Sequence, residues 1–105
     1  RHRRWTLHGV SHSLGLDVHD CAQAREEAYL HGPLGANHVL TVEPGLYFQP
    51  NDLSVPDEFR GISVRIEDDI RVTPAGPENM SASLPRDPDE LTAWMRHAQS
   101  TPLEF

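Results

Sequence analysis

ISVRIEDDIRVT, residues 62–73, is the stretch on which the fold turns. Ile62, Val64 and Ile66 alternate with Ser63, Arg65 and Glu67, the two-residue period of a β-strand. Asp68 and Asp69 bend the chain, and Ile70 and Val72 resume the pattern. Upstream, HVLTVEPGLYF (residues 38–48) sets Leu40 and Val42 against Val39, Thr41 and Glu43, until Pro44-Gly45 breaks the strand. RRWTLH at residues 3–8 predicts a short strand that runs into a glycine-spaced strand end and turn at 9–15. Residues 21–36 read as a loop with one helical turn near 24–28, and residues 49–59 as a proline- and aspartate-bearing surface loop. The tail predicts a helix: Asp87 as N-cap, Pro88 at the first helical position and Glu90 at the capping-box position. Leu91, Trp94, Met95 and Ala98 then form an apolar stripe, expected to pack into the core. Strands followed by a terminal helix make the fold class α+β.

Composition narrows the function. The 105 residues carry a formal charge of −7, which argues against nucleic acid or an anionic membrane as partner. The basic run Arg1-His2-Arg3-Arg4 reads as a solvated chain end. No apolar run approaches the ~18 residues of a membrane span, and no signal-peptide pattern is present. A lone cysteine, Cys21, leaves no internal disulfide and suits a reducing, cytoplasmic setting; as a small buried hydrophobe it needs no reactive role. The chain opens in mid-pattern without methionine, as a piece of a longer protein would.

Chemistry concentrates in HGVSHSLGLDVHD, residues 8–20, which holds three of the seven histidines. His8 and His12 are four apart, but Gly9 stands where a zinc-protease helix needs glutamate, and the glycines oppose a helix. Glu43 and Glu67 lie inside apolar strand patterns, where a carboxylate must be paired, protonated or bound to a cation. Glu67 has a local partner in Arg65, and Glu43 has none nearby in sequence. One histidine and two glutamates from separate strands compose an oxygen/nitrogen site suited to Zn²⁺, Mn²⁺ or Co²⁺.

Together, HGVSHSLGLDVHD, LTVEPGLYF and GISVRIEDDIRVT resemble, in this order and spacing, the C-terminal half of the catalytic domain of Xaa-Pro aminopeptidases. These are pita-bread metallopeptidases, related to prolidases and methionine aminopeptidases. The resemblance implies that residues 1–105 are the C-terminal portion of such a domain, with antiparallel strands and a terminal helix. It implies two divalent metal ions, Mn²⁺ foremost, that activate a water for attack on a peptide bond preceding proline. His12 and Glu43 would ligate one ion and Glu67 would bridge both. Two further aspartate ligands would precede His8, beyond the seven residues present before it. The resemblance makes His8 a lining of the proline pocket, His19 a stabiliser of the oxyanion and Arg65 an orienting residue at the site edge. Glu43 would also handle the proton of the attacking water. Asp17, Asp20, Asp68 and Asp69 are expected to be structural. The family's usual Pro-Gly is replaced by Gly35-Ala36-Asn37-His38, which puts His38 in a surface turn.

The implied partners are a peptide with penultimate proline, the remainder of the parent chain and further copies in a homo-oligomer. Residues 1–105 alone are expected to be inactive. A prolidase is the near alternative, and it would need a cation for the dipeptide's carboxylate. Between Asp20 and Glu43 only Arg25 offers one besides histidine. A non-catalytic binding module on the same fold is the other alternative.

Overall fold

The computed structural model describes residues 2–20 and 25–100. Cys21 and Ala24 lie outside these residues. A 3-10 turn at His2–Arg4 leads to β1 (Ser13–Leu14), α1 (Glu26–Tyr29), β2 (Val39–Val42) and β3 (Gly45–Tyr47). A second 3-10 turn at Asp57–Phe59 precedes β4 (Ser63–Arg65), β5 (Asp68–Thr73), β6 (Gly76–Asn79) and α2 (Pro88–Ser100). All pairing is antiparallel, in a four-stranded sheet of order β1-β2-β5-β6 and a two-stranded sheet of β3 and β4. The α+β arrangement is the one expected.

Residues 62–73 are not one strand. They form β4 and β5, in different sheets, and the break falls at Ile66 and Glu67 rather than at Asp68-Asp69. The cause lies opposite. Residues 39–47 break at Glu43-Pro44, and proline has no N–H to give to a ladder. Pairing nevertheless keeps one register across the break: Val42 faces Asp68 on one side and Gly45 faces Arg65 on the other. Glu43 therefore lies across from Glu67, and Ile66 N–H still donates to the Pro44 carbonyl at 3.3 Å.

Two expectations need correction, and one strand forms where no sequence pattern announced it. Residues 3–8 are no strand: after the 3-10 turn, the Trp5 carbonyl accepts from Tyr47 N–H at 2.9 Å, and no regular ladder follows. Side chains explain this. Asp52 accepts from Arg4 at two positions, both 2.9 Å, and from Trp5 Nε1 at 3.1 Å, and these bonds turn the segment away from extended pairing. Strand β6, GPEN, carries no alternating pattern. It forms because a tight turn after Thr73, with Gly76 at φ +124°, folds the chain back along β5, where Arg71 pairs with Glu78 at 2.6 Å. Its Pro77 is tolerated because β6 is an edge strand. Lastly, α2 starts as expected, with Asp87 Oδ1 accepting from Asp89 N–H at 2.9 Å and Glu90 N–H at 3.2 Å. Its apolar stripe is not core, however: Leu91, Trp94 and Met95 are exposed and no residue of α2 is buried. Among the described residues nothing covers that face.

The α1 turn lies slightly later than its sequence signal, and Tyr29 Oη accepts from Ser13 N–H at 3.3 Å, tying it to β1. Among the described residues the buried side chains are Val55, Thr41 and Glu43, two of which are polar. That polarity directs attention to β2.

Candidate metal centre

Strand alternation puts Thr41, Glu43, Gly45 and Tyr47 on one side of the β2–β3 run. The segment 10–14 runs along the edge of β2 as its antiparallel neighbour. Thr41 N–H donates to the His12 carbonyl at 2.9 Å, and Glu43 N–H donates to that of Val10 at 2.8 Å. This pairing carries His12 over Glu43, while the shared register carries Glu67 across from it.

The three residues converge. One ligand atom from each of His12, Glu43 and Glu67 lies within 4.8 Å of the other two. Glu43 is nearly buried and His12 is mostly covered, while Glu67 remains open to solvent. His12 Nδ1–H donates to the Ser13 carbonyl at 3.1 Å, since a carbonyl can only accept. In the neutral ring, Nε2 then turns its lone pair toward Glu43 Oε1, 3.2 Å away. Lone pair against carboxylate is repulsive until a cation or proton stands between them. The donor set of one imidazole nitrogen and two carboxylates, one of them buried, fits a divalent ion of the borderline-to-hard class.

The other candidates surround this trio. Arg65 NH1 lies 3.7 Å from Glu43 Oε2 and its Nε 3.6 Å from Glu67 Oε2, so it spans both carboxylates without a close hydrogen bond to either. The local Arg65–Glu67 pairing considered from sequence thus exists within the cluster. His8 Nδ1 lies 3.9 Å from Glu43 Oε2 and donates to the Gly9 carbonyl at 2.5 Å. In the neutral ring its Nε2 is then the acceptor of a hydrogen bond from Tyr47 Oη at 2.7 Å. The His19 ring stands edge-on to that of His12, with centroids 4.4 Å apart. An open groove of about 850 Å³, lined by His8, Val10, Pro44, Leu46, Val64 and Ile66, lies against the other face of the β3–β4 pair, where alternation turns Pro44, Leu46, Val64 and Ile66 away from the side of Glu43, Arg65 and Glu67.

The residues set aside from sequence lie elsewhere. Asp68 pairs with Arg86, whose hydrogen bonds hold its carboxyl below the usual aspartate range. Asp69 N–H receives support from Ser81 Oγ at 3.0 Å. Asp20 N–H donates to the Ser13 carbonyl at 3.0 Å, and its carboxylate fills the space a side chain at Gly15 would need. Asp17 contributes its carbonyl to the turn, accepting from Gly15 N–H at 3.2 Å. His38 Nδ1 accepts from Gly35 N–H at 3.2 Å, away from the trio.

Two contributors escaped the sequence reading, Thr41 and Tyr47. Both share the face of Glu43 at even spacing, so alternation itself was the available signal. Gly45 belongs with them: a Cβ there would stand 2.7 Å from the Tyr47 ring, so glycine lets the ring lie back toward His8.

Comparison with known proteins identifies the family. The sequence profile of metallopeptidase family M24 matches residues 3–74. Xaa-Pro aminopeptidase 1 of Streptomyces coelicolor is 66% identical over 93 residues, which are 89% of this chain and 19% of that protein. Aminopeptidase P of Escherichia coli, solved with the inhibitor Pro-Leu, is 47% identical with a TM-score of 0.78, over 95% of this chain and 22% of that one. The zinc-substituted form of the same enzyme, in complex with product, superposes equally, also at a TM-score of 0.78. The chain thus spans about a fifth of the length of the curated relatives it matches.

Proposed function

The chain belongs to metallopeptidase family M24 and shares the pita-bread fold of aminopeptidase P over its length; from that premise we propose that the full-length polypeptide carrying it is a metal-dependent exopeptidase. It removes the N-terminal residue from peptides with proline in second place. The observation that carries this reading is the His12–Glu43–Glu67 trio, gathered within 4.8 Å at the break between two sheets.

His12 and Glu43 would hold one divalent ion and Glu67 would be shared with a second, whose other ligands come from outside these residues. Mn²⁺ is the proposed native ion, because carboxylate-rich donor sets suit it, with Zn²⁺ and Co²⁺ as substitutes. Bound ions supply Lewis acidity and make a water nucleophilic near neutral pH. The remaining work falls to side chains. Glu43 takes the proton of the attacking water and returns it to the leaving amine. His19, edge-on to His12, hydrogen-bonds the oxygen of the carbonyl under attack as its charge develops. His8, held by Tyr47 and 3.9 Å from Glu43, lines the place where the substrate's proline ring sits. Arg65 steers both carboxylates and binds the substrate edge.

A cytoplasmic setting and a homo-oligomer belong to the same proposal. The test compares Xaa-Pro with Xaa-Pro-Yaa peptides, using the purified full-length protein before and after chelation. Hydrolysis of the longer peptides that disappears on chelation and returns with Mn²⁺ is the expected result. Activity confined to dipeptides would make it a prolidase, and chelator-resistant cleavage would remove the metal from the mechanism.

A further inference from the structure

The most deeply buried side chain among the described residues is a polar one, Thr41, at 1% exposure. Its Oγ1 accepts from His12 N–H at 3.0 Å and donates to Glu43 Oε1 at 3.1 Å. The amide can only donate, which commits one lone pair of the hydroxyl oxygen. The single hydroxyl proton then has two acceptors within reach, Glu43 Oε1 and the His12 carbonyl at 3.5 Å. The nearer one is also the charged one, so the proton goes to Glu43.

The geometry points to Thr41 as a positioning residue that divides the two oxygens of Glu43 between two tasks. Oε1, held by Thr41, faces His12 Nε2 at 3.2 Å and is the metal-side oxygen. Oε2 is left facing His8 Nδ1 at 3.9 Å and Arg65 NH1 at 3.7 Å, where the substrate's proton traffic takes place. The same hydroxyl ties the His12 backbone to the Glu43 carboxylate, so one buried group sets the spacing of two ligands that come from distant parts of the chain. Without it, Glu43 is free to rotate about its side-chain torsions, and His12 loses a restraint on its main chain. This inference rests on reading the trio as a metal centre.

Thr41→Val keeps the branched shape and removes the hydroxyl; Thr41→Ser keeps the hydroxyl; Thr41→Ala is a smaller deletion, should valine prevent folding. The measurement is Mn²⁺ affinity of the full-length protein by calorimetry, with circular dichroism to verify folding. Loss of an outer support of this kind weakens metal binding about 10–100-fold, and that is expected for valine and alanine, with serine within about threefold of the parent. Folded valine and alanine variants that bind Mn²⁺ as tightly as the parent overturn the assignment while leaving the metal centre standing. So does a serine variant weakened as much as valine. A parent protein that takes up no Mn²⁺ overturns both readings.

Discussion

Asp52 shows how one side chain far from the chemistry can hold it in place. Its carboxylate takes both guanidinium bonds of Arg4, the Trp5 indole N–H, and the amide and hydroxyl of Ser54. Trp5 in turn packs edge-on to Phe48 at 5.7 Å, beside Tyr47. The hydrogen bonds from Arg4, and then those from Ser54, hold the Asp52 carboxyl well below its ordinary range. A depressed carboxylate stabilises the folded state in full above its unfolded pKa of about 4. The contribution fades as pH falls from there through the depressed value, because the folded state then has to take up a proton. In Asp52→Asn, thermal unfolding of the full-length protein should come at lower temperature at pH 7. The variant should also lose part of the parent's further decline between pH 4 and 2. Equal melting temperatures at neutral pH would mean that the cluster is ornamental.

Elements were legible where a local rule acted alone. Asp87, Pro88 and Glu90 specify the start of α2 by capping chemistry, and that start is where they put it. Asp87→Ala should cost about 1 kcal/mol of local helix stability, read as roughly fivefold faster amide exchange at Asp89 and Glu90. Unchanged exchange would show that the cap does not hold the helix. The alternation of residues 39–42 and 62–65 was equally readable, but the interruption was not: it falls at Ile66 and Glu67, and Asp68-Asp69 open β5. Contexts set by other segments were not. The division of residues 62–73 depends on Pro44 across the ladder, β6 depends on a turn and a neighbour, and the bare stripe of α2 depends on what covers it. His12, Glu43 and Glu67 could be picked out as residue types that need a partner. Their convergence came from resemblance, because spacing alone does not state which strands adjoin.

As a whole, the molecule exposes too much of itself. A self-contained protein of 11.8 kDa has an accessible surface of about 5,900 Å²; this one has 8781 Å². Its radius of gyration is 17.6 Å, where about 13 Å is typical of a domain this long. Val42, Leu46, Val64 and the α2 stripe lie open to solvent. Residues 1–105 produced alone should therefore melt without a sharp transition and cleave no Xaa-Pro peptide, as calorimetry and a peptidase assay would reveal. A cooperative melt with activity would contradict this. The uninterrupted register at Glu43 and Glu67 has a thermodynamic consequence for the complete protein. Ladder pairing on both sides sets two carboxylates opposite each other, and the Arg65 guanidinium, 3.7 Å from one and 3.6 Å from the other, offsets their repulsion without a close hydrogen bond to either. A cation at that point relieves what remains of it only when both sheets are formed. Folding and ion uptake are thus linked, and free ion at a hundred times its dissociation constant adds about 2.7 kcal/mol to stability. The melting temperature becomes a gauge of metal supply, rising with the logarithm of its concentration.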